Sequence, residues 1–233
     1  MKKQCRWLLF YGITVCGVLL SVKLVNKAVW VMAENKPVER ESCIIIDPGH
    51  GGEDGGAVSI SNLPESGYNL SIALRLEDLL QMLGYDTKMT RTEDISVYTK
   101  GETLAQKKIS DLKERVRIVN ETNGAVLLSI HQNHFPDPKF HGAQVFFAGS
   151  ERSEDLAGQI QGLLSTSINP GSKRQIKKSS GIYLMEHIRS PGVLIECGFL
   201  SNPEEECNLR DPEYQKRLSM VIAVAVSQFL SNT

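Results

Sequence analysis

Two histidines 81 positions apart, His50 and His131, each follow an apolar run: Cys43-Ile44-Ile45-Ile46-Asp47-Pro48-Gly49-His50 and Ala125-Val126-Leu127-Leu128-Ser129-Ile130-His131. Imidazole is the commonest metal-ligating side chain, and a catalytic zinc takes three protein ligands and keeps one position open. A carboxylate would complete the set, and two glutamates are near His50 in sequence. Glu53 gives His50-x-x-Glu53, a spacing found in metal carboxypeptidases. Glu65 opens a helical stretch after a loop long enough to swing back over the strand ends, and it is the expected third ligand. The alternative for Glu65 is an N-terminal helix charge favoured by the dipole, and either histidine alone would read as an ordinary loop residue. The two at matching strand ends turn the reading toward one metal ion.

A fourth residue stands out by its surroundings. Glu196 lies inside Val193-Leu194-Ile195-Glu196-Cys197-Gly198-Phe199, where an unpaired carboxylate is costly to bury. Partial burial raises a carboxyl pKa and suits it to take a proton from water and pass it to a leaving amine. The alternative is a structural ion pair with an arginine elsewhere.

These four side chains need a scaffold that brings distant positions to one edge. Short apolar runs at 43–46, 85–90, 125–130, 142–148, 182–185 and 192–197 read as strands. Between them, residues 70–83, 111–119, 153–168 and 212–230 show helical periodicity, closed by Gly84, Asn123-Gly124 and Asn169-Pro170-Gly171. Residues 95–110 read as a loop or helical lead-in. Alternating strands and helices predict a single α/β domain, a mainly parallel twisted sheet of about six strands with helices on both faces. In such sheets ligands bind beyond the carboxyl ends of the strands, where both histidines fall.

The chain has 233 residues, 41% apolar and 23% charged, ordinary for a globular protein. Its net charge of -1 hides an asymmetry. Residues 1–33 carry five bases and no acid, while 21 bases face 27 acids from Glu34 onward. An acidic main domain argues against nucleic acid as a partner. The five cysteines have no C-x-x-C spacing and imply neither a zinc ribbon nor a disulfide framework.

The basic start Met1-Lys2-Lys3-Gln4-Cys5-Arg6 precedes an apolar run from Trp7 to Val22. That is an export signal, and residues 1–33 read as an uncleaved signal-anchor rather than a removed peptide, with Lys23 snorkelling and Trp30 at the interface. Val31-x-Ala33 would be the cleavage site of the alternative. Residues 34–42 form a polar tether, and residues 43–231 the catalytic domain, working outside the cytoplasm.

Asp47-Pro48-Gly49-His50-Gly51-Gly52, Glu65 at a helix start, Thr90-Arg91 with Asp94, Ser129-Ile130-His131 and Ile195-Glu196-Cys197-Gly198-Phe199-Leu200-Ser201-Asn202 together resemble the zinc-dependent N-acetylmuramoyl-L-alanine amidases. The resemblance spans about residues 43–230. It implies His50, Glu65 and His131 as ligands of one zinc ion and Glu196 as catalytic carboxylate. The absence of wall-binding repeats and the segment Gly181-Ile182-Tyr183-Leu184-Met185 look most like the spore-cortex, germination-related branch. There, removal of the stem peptide precedes muramic δ-lactam formation. The implied substrate is the amide between N-acetylmuramic acid and L-alanine in peptidoglycan. An accessory or activator protein and a membrane contact through the N-terminus are the further partners. Asn133 and His134 are candidate substrate contacts, although His134 departs from the small residue usual in the family, and the basic loop 173–178 could face acidic stem peptides. A zinc carboxypeptidase using Glu53, and an inactive wall-binding relative, are the rival readings.

Overall fold

The computed structural model describes residues 42–232. The expected membrane segment (1–33) and residues 34–41 of the tether lie outside the described residues. Among the described residues, no helix is long and apolar enough to cross a membrane.

Six strands form one mixed sheet: β1 (Cys43–Pro48), β2 (Asp86–Met89), β3 (Ala125–Asn133), β4 (Gln144–Phe147), β5 (Lys177–Lys178) and β6 (Gly192–Phe199). Their spatial order is β2-β1-β3-β6-β4-β5. Pairings are parallel throughout except β4 on β6, which is antiparallel. The helices are α1 (Glu65–Met82), α2 (Leu104–Asn120), α3 (Glu151–Ser167), α4 (Tyr183–His187), α5 (Pro203–Arg210) and α6 (Pro212–Ser231).

Successive strand side chains point to opposite faces, and the core divides accordingly. Ile44, Ile46, Val126, Leu128, Ile130, Val193 and Ile195 pack beneath α1, α3 and α6. Ile45, Leu127 and Leu194 face the other way, against Val119 of α2 and Leu184 and Met185 of α4. Both faces are covered, so the central strands read as continuous apolar runs. The described cysteines, Cys43, Cys197 and Cys207, are free.

Three expectations change. Residues 182–185 are not a strand: Leu184 and Met185 are consecutive and both buried, as on a helix and not on a two-faced strand, and they belong to α4. The sixth strand is Lys177–Lys178, inside the stretch read as a basic loop. The second helix begins at Leu104, not Asp111, fixed by a capping box in which the Thr103 side chain accepts from the Gln106 N–H and Gln106 answers to the Thr103 backbone. Helix α5 has no counterpart among the expected elements. It starts on Asn202, whose side chain accepts from the Glu204 and Glu205 amides.

Candidate metal centre

The parallel register sets the site. Asp47 lies opposite Ser129, and His131 lies opposite Glu196, so residues far apart in sequence meet at the C-terminal edge of β1, β3 and β6. Beyond β1 the chain turns through His50 at φ 61 and Gly51 at φ 134. The left-handed region is uncommon for a side chain such as histidine and needs outside support.

Two buried arginines supply that support. Arg115 of α2 donates to the carbonyls of Pro48 at 2.9 Å and His50 at 2.7 Å. Arg91 donates to the carbonyls of Pro48 at 3.0 Å, Gly49 at 3.1 Å and Ser66 at 2.9 Å. Arg115 is itself held by Asp111 at 2.6 Å and by a short contact to Asp47. Asp47 also accepts from Thr90 and Ser129, each at 2.7 Å. Burial works against its ionised form, but the Arg115 guanidinium, with Ser129 and Thr90, holds its carboxyl below the usual aspartate range.

Glu65 arrives from the other side as the first residue of α1. That helix start has no side-chain cap. Its first amides donate to the loop instead, Glu65 N–H to the Ala57 carbonyl at 2.8 Å and Ser66 N–H to the Gly55 carbonyl at 3.0 Å. The loop and the helix end therefore satisfy each other, and the carboxylate is pinned between the imidazoles. Glu65 Oε2 lies 3.3 Å from His50 Nε2, and Oε1 lies 3.0 Å from His131 Nδ1. The same carboxylate accepts from the amides of Ala57 and Gln132 and from Asn69 Nδ2. Although burial opposes its charge, the two imidazoles hold its carboxyl far below the usual range.

One ligand atom from each of His50, Glu65 and His131 lies within 4.8 Å of the others. Two nitrogens and an oxygen converging this closely are a donor set for a divalent first-row ion. The far nitrogen of His50, Nδ1, meets Asp54 Oδ2 at 3.0 Å, the carboxylate–histidine arrangement that orients metal-binding imidazoles. Asp54 continues to Lys108 at 3.0 Å. Glu53 is elsewhere: its carboxylate is ion-paired with Lys107 at 2.7 Å.

Glu196 stands beside the cluster, half-buried, and its Oε2 is buried with no hydrogen-bond partner among the described residues. Burial pushes its carboxyl up to about 7; the Glu65 charge adds to this and the two imidazoles oppose it. Glu196 forms no ion pair among the described residues, and an unpartnered carboxyl oxygen beside the trio marks it as a candidate proton-handling group. Asn133 ends β3, half-buried, and its carbonyl accepts from the Leu200 amide at 2.8 Å. His134 is exposed.

Residue types alone do not single out Asp54, Arg115 or Asn69. Arg115 has a signal: it lies among Leu112, Val116 and Val119, so an arginine faces the core side of its helix. Asp54 lies four residues from His50 in a loop with two carboxylates, and nothing in the sequence tells which one turns inward.

Residues 44–228 match the Amidase_3 family, described as N-acetylmuramoyl-L-alanine amidase. The chain belongs to that family. It is a hydrolase of the amidase class. Among relatives, the germination-specific N-acetylmuramoyl-L-alanine amidase of Bacillus subtilis (strain 168) is 35% identical over 234 residues, covering 99% of this chain and 97% of that protein. AmiC of Neisseria meningitidis serogroup B is 26% identical over 83% of this chain but only 54% of its own length. The CwlD amidase from Clostridioides difficile, solved in complex with the GerS lipoprotein, superposes with a TM-score of 0.79 at 36% identity, over 82% of this chain and 100% of that one.

Proposed function

We propose that this amidase uses one zinc ion, held by His50, Glu65 and His131, to hydrolyse the amide between N-acetylmuramic acid and L-alanine in spore-cortex peptidoglycan. The observation that carries the reading is the convergence of three donors within 4.8 Å, with Glu196 in register beside His131. When bound, zinc supplies Lewis acidity, polarising a carbonyl and acidifying water. Glu196 takes a proton from the attacking water as hydroxyl adds to the amide carbon. The same carboxyl then gives that proton to the alanine nitrogen as the C–N bond breaks. Asp54 keeps the His50 ring oriented, and the backbone amides of Ala57 and Gln132 hold the Glu65 carboxylate in place.

The cortex assignment, and muramic δ-lactam formation downstream, rest on similarity to the germination-specific relative. So does an accessory protein, by analogy with the lipoprotein bound to the Clostridioides difficile amidase. Asn133 and His134 are assigned to the substrate rim, residues 1–33 to a membrane signal-anchor joined by a tether at 34–42, and residues 43–231 to a catalytic unit working outside the cytoplasm. The carboxypeptidase alternative is disfavoured by the Glu53–Lys107 ion pair.

The test is Glu196→Ala. The variant should retain one equivalent of zinc by elemental analysis and release no stem peptide from purified peptidoglycan, whereas Glu65→Ala should lose the zinc and Glu53→Ala should keep it. An active Glu196→Ala protein would refute the assigned role.

A further inference from the structure

Of the four bases between Lys173 and Lys178, three are exposed lysines and one is built into the fold. Arg174 donates from Nε to the His141 carbonyl at 2.7 Å and from Nη1 to Gln144 Oε1 at 2.9 Å. Its guanidinium lies over the Phe199 ring, 4.6 Å from the centroid. These contacts place it at the working edge of the sheet. Gln144 is the antiparallel partner of Glu196, and Phe199, which ends β6, pairs with Asn133 two residues beyond His131.

Two features set this arginine apart from a structural one. Among the described residues it makes no ion pair. Glu205, the acid whose charge reaches it, has its oxygens occupied by the Gly142 and Phe199 amides at 2.8 and 2.9 Å. Its Nη2 donors are also uncommitted among the described residues, whereas Arg91 and Arg115 spend both terminal nitrogens on backbone carbonyls. A guanidinium fixed by stacking and two hydrogen bonds, with donors left over and no ion pair among the described residues, is a preorganised fork for a carboxylate.

We infer that Arg174 receives a carboxylate of the stem peptide, making it a specificity residue that favours acidic over amidated stems. This rests on the peptidoglycan substrate proposed above, and binding is therefore tested apart from turnover. The probe is a soluble muramoyl peptide with its carboxyl groups free, or amidated one at a time. Its dissociation constant would be measured by calorimetry on zinc-loaded full-length Glu196→Gln protein, with Arg174 intact or changed to Met or Lys. Amidating one particular carboxyl should weaken binding to the Arg174 protein about tenfold or more, in line with a hydrogen bond to a charged group. Arg174→Met should lose a similar factor on the free acid and no longer discriminate acid from amide. Arg174→Lys, which keeps the charge without the fork, should fall between. Equal losses on acid and amide, or undiminished discrimination in Arg174→Met, would overturn the inference. Failure of the wild-type enzyme to cleave the peptide while Arg174-dependent discrimination persists would sink the amidase substrate and spare the carboxylate site.

Discussion

The donor trio is as much a matter of missing atoms as of those present. A Cβ built on Gly49 would lie 2.1 Å from both Cε1 and Nε2 of His131, and one on Gly56 would lie 2.6 Å from Glu65 Oε2 and 2.7 Å from His50 Cδ2. Each glycine lets backbone lie directly against a side chain of the candidate trio. Gly49→Ala should therefore displace the His131 ring and lower zinc affinity about tenfold or more, the scale on which lost support for a ligand is felt, as read by equilibration against zinc buffers. Gly67, in the first turn of α1, offers the contrast: a methyl group added there would meet nothing within 4 Å. Gly67→Ala should keep zinc affinity and raise stability by about 0.5–1 kcal/mol in urea denaturation.

At the level of elements, α2 acts as the clamp on the β1 loop, through a single buried arginine. Arg115→Met would leave the Asp47 charge buried without its counter-ion and should cost about 3–5 kcal/mol in urea denaturation. Adding Asp47→Asn should recover part of that loss, since the two residues are coupled. The pH dependence has a definite sign. Asp47 has a folded pKa below its ordinary value of 3.8, so its contribution is present above that value and is lost as pH falls through the depressed folded pKa. Asp47→Asn should flatten that part of the acid limb. Little of this clamp is legible in the sequence. The strands β1, β3 and β6 are legible because burial on both faces leaves unbroken runs of Ile, Val and Leu, and their ends locate His50, His131 and Glu196. Residues 182–185 mislead because a four-residue apolar run fits a strand or a helical turn equally well. Lys177–Lys178 gives no signal, since an edge strand of two lysines is defined by its neighbour Phe146–Phe147 alone. The grip of Arg91 and Arg115 on carbonyls is hidden because hydrogen bonds to backbone leave no mark on the sequence of the segment that receives them.

Among the described residues, both hydrophobic clusters and the three candidate metal donors lie between Cys43 and Leu230. A protein reduced to residues 42–233 should fold cooperatively and match the full chain's thermal midpoint within about 2 °C, as measured by circular dichroism; a collapse of the midpoint would show that upstream residues complete the core. The direction of β1 carries one more implication. The polypeptide enters the sheet at Cys43, whose amide is tied to the Gly124 carbonyl, and reaches the histidine loop only after a strand of six residues, about 20 Å at 3.3 Å per residue. Whatever loosens β1 against its neighbours β2 and β3 therefore also loosens, at its far end, the loop that carries His50.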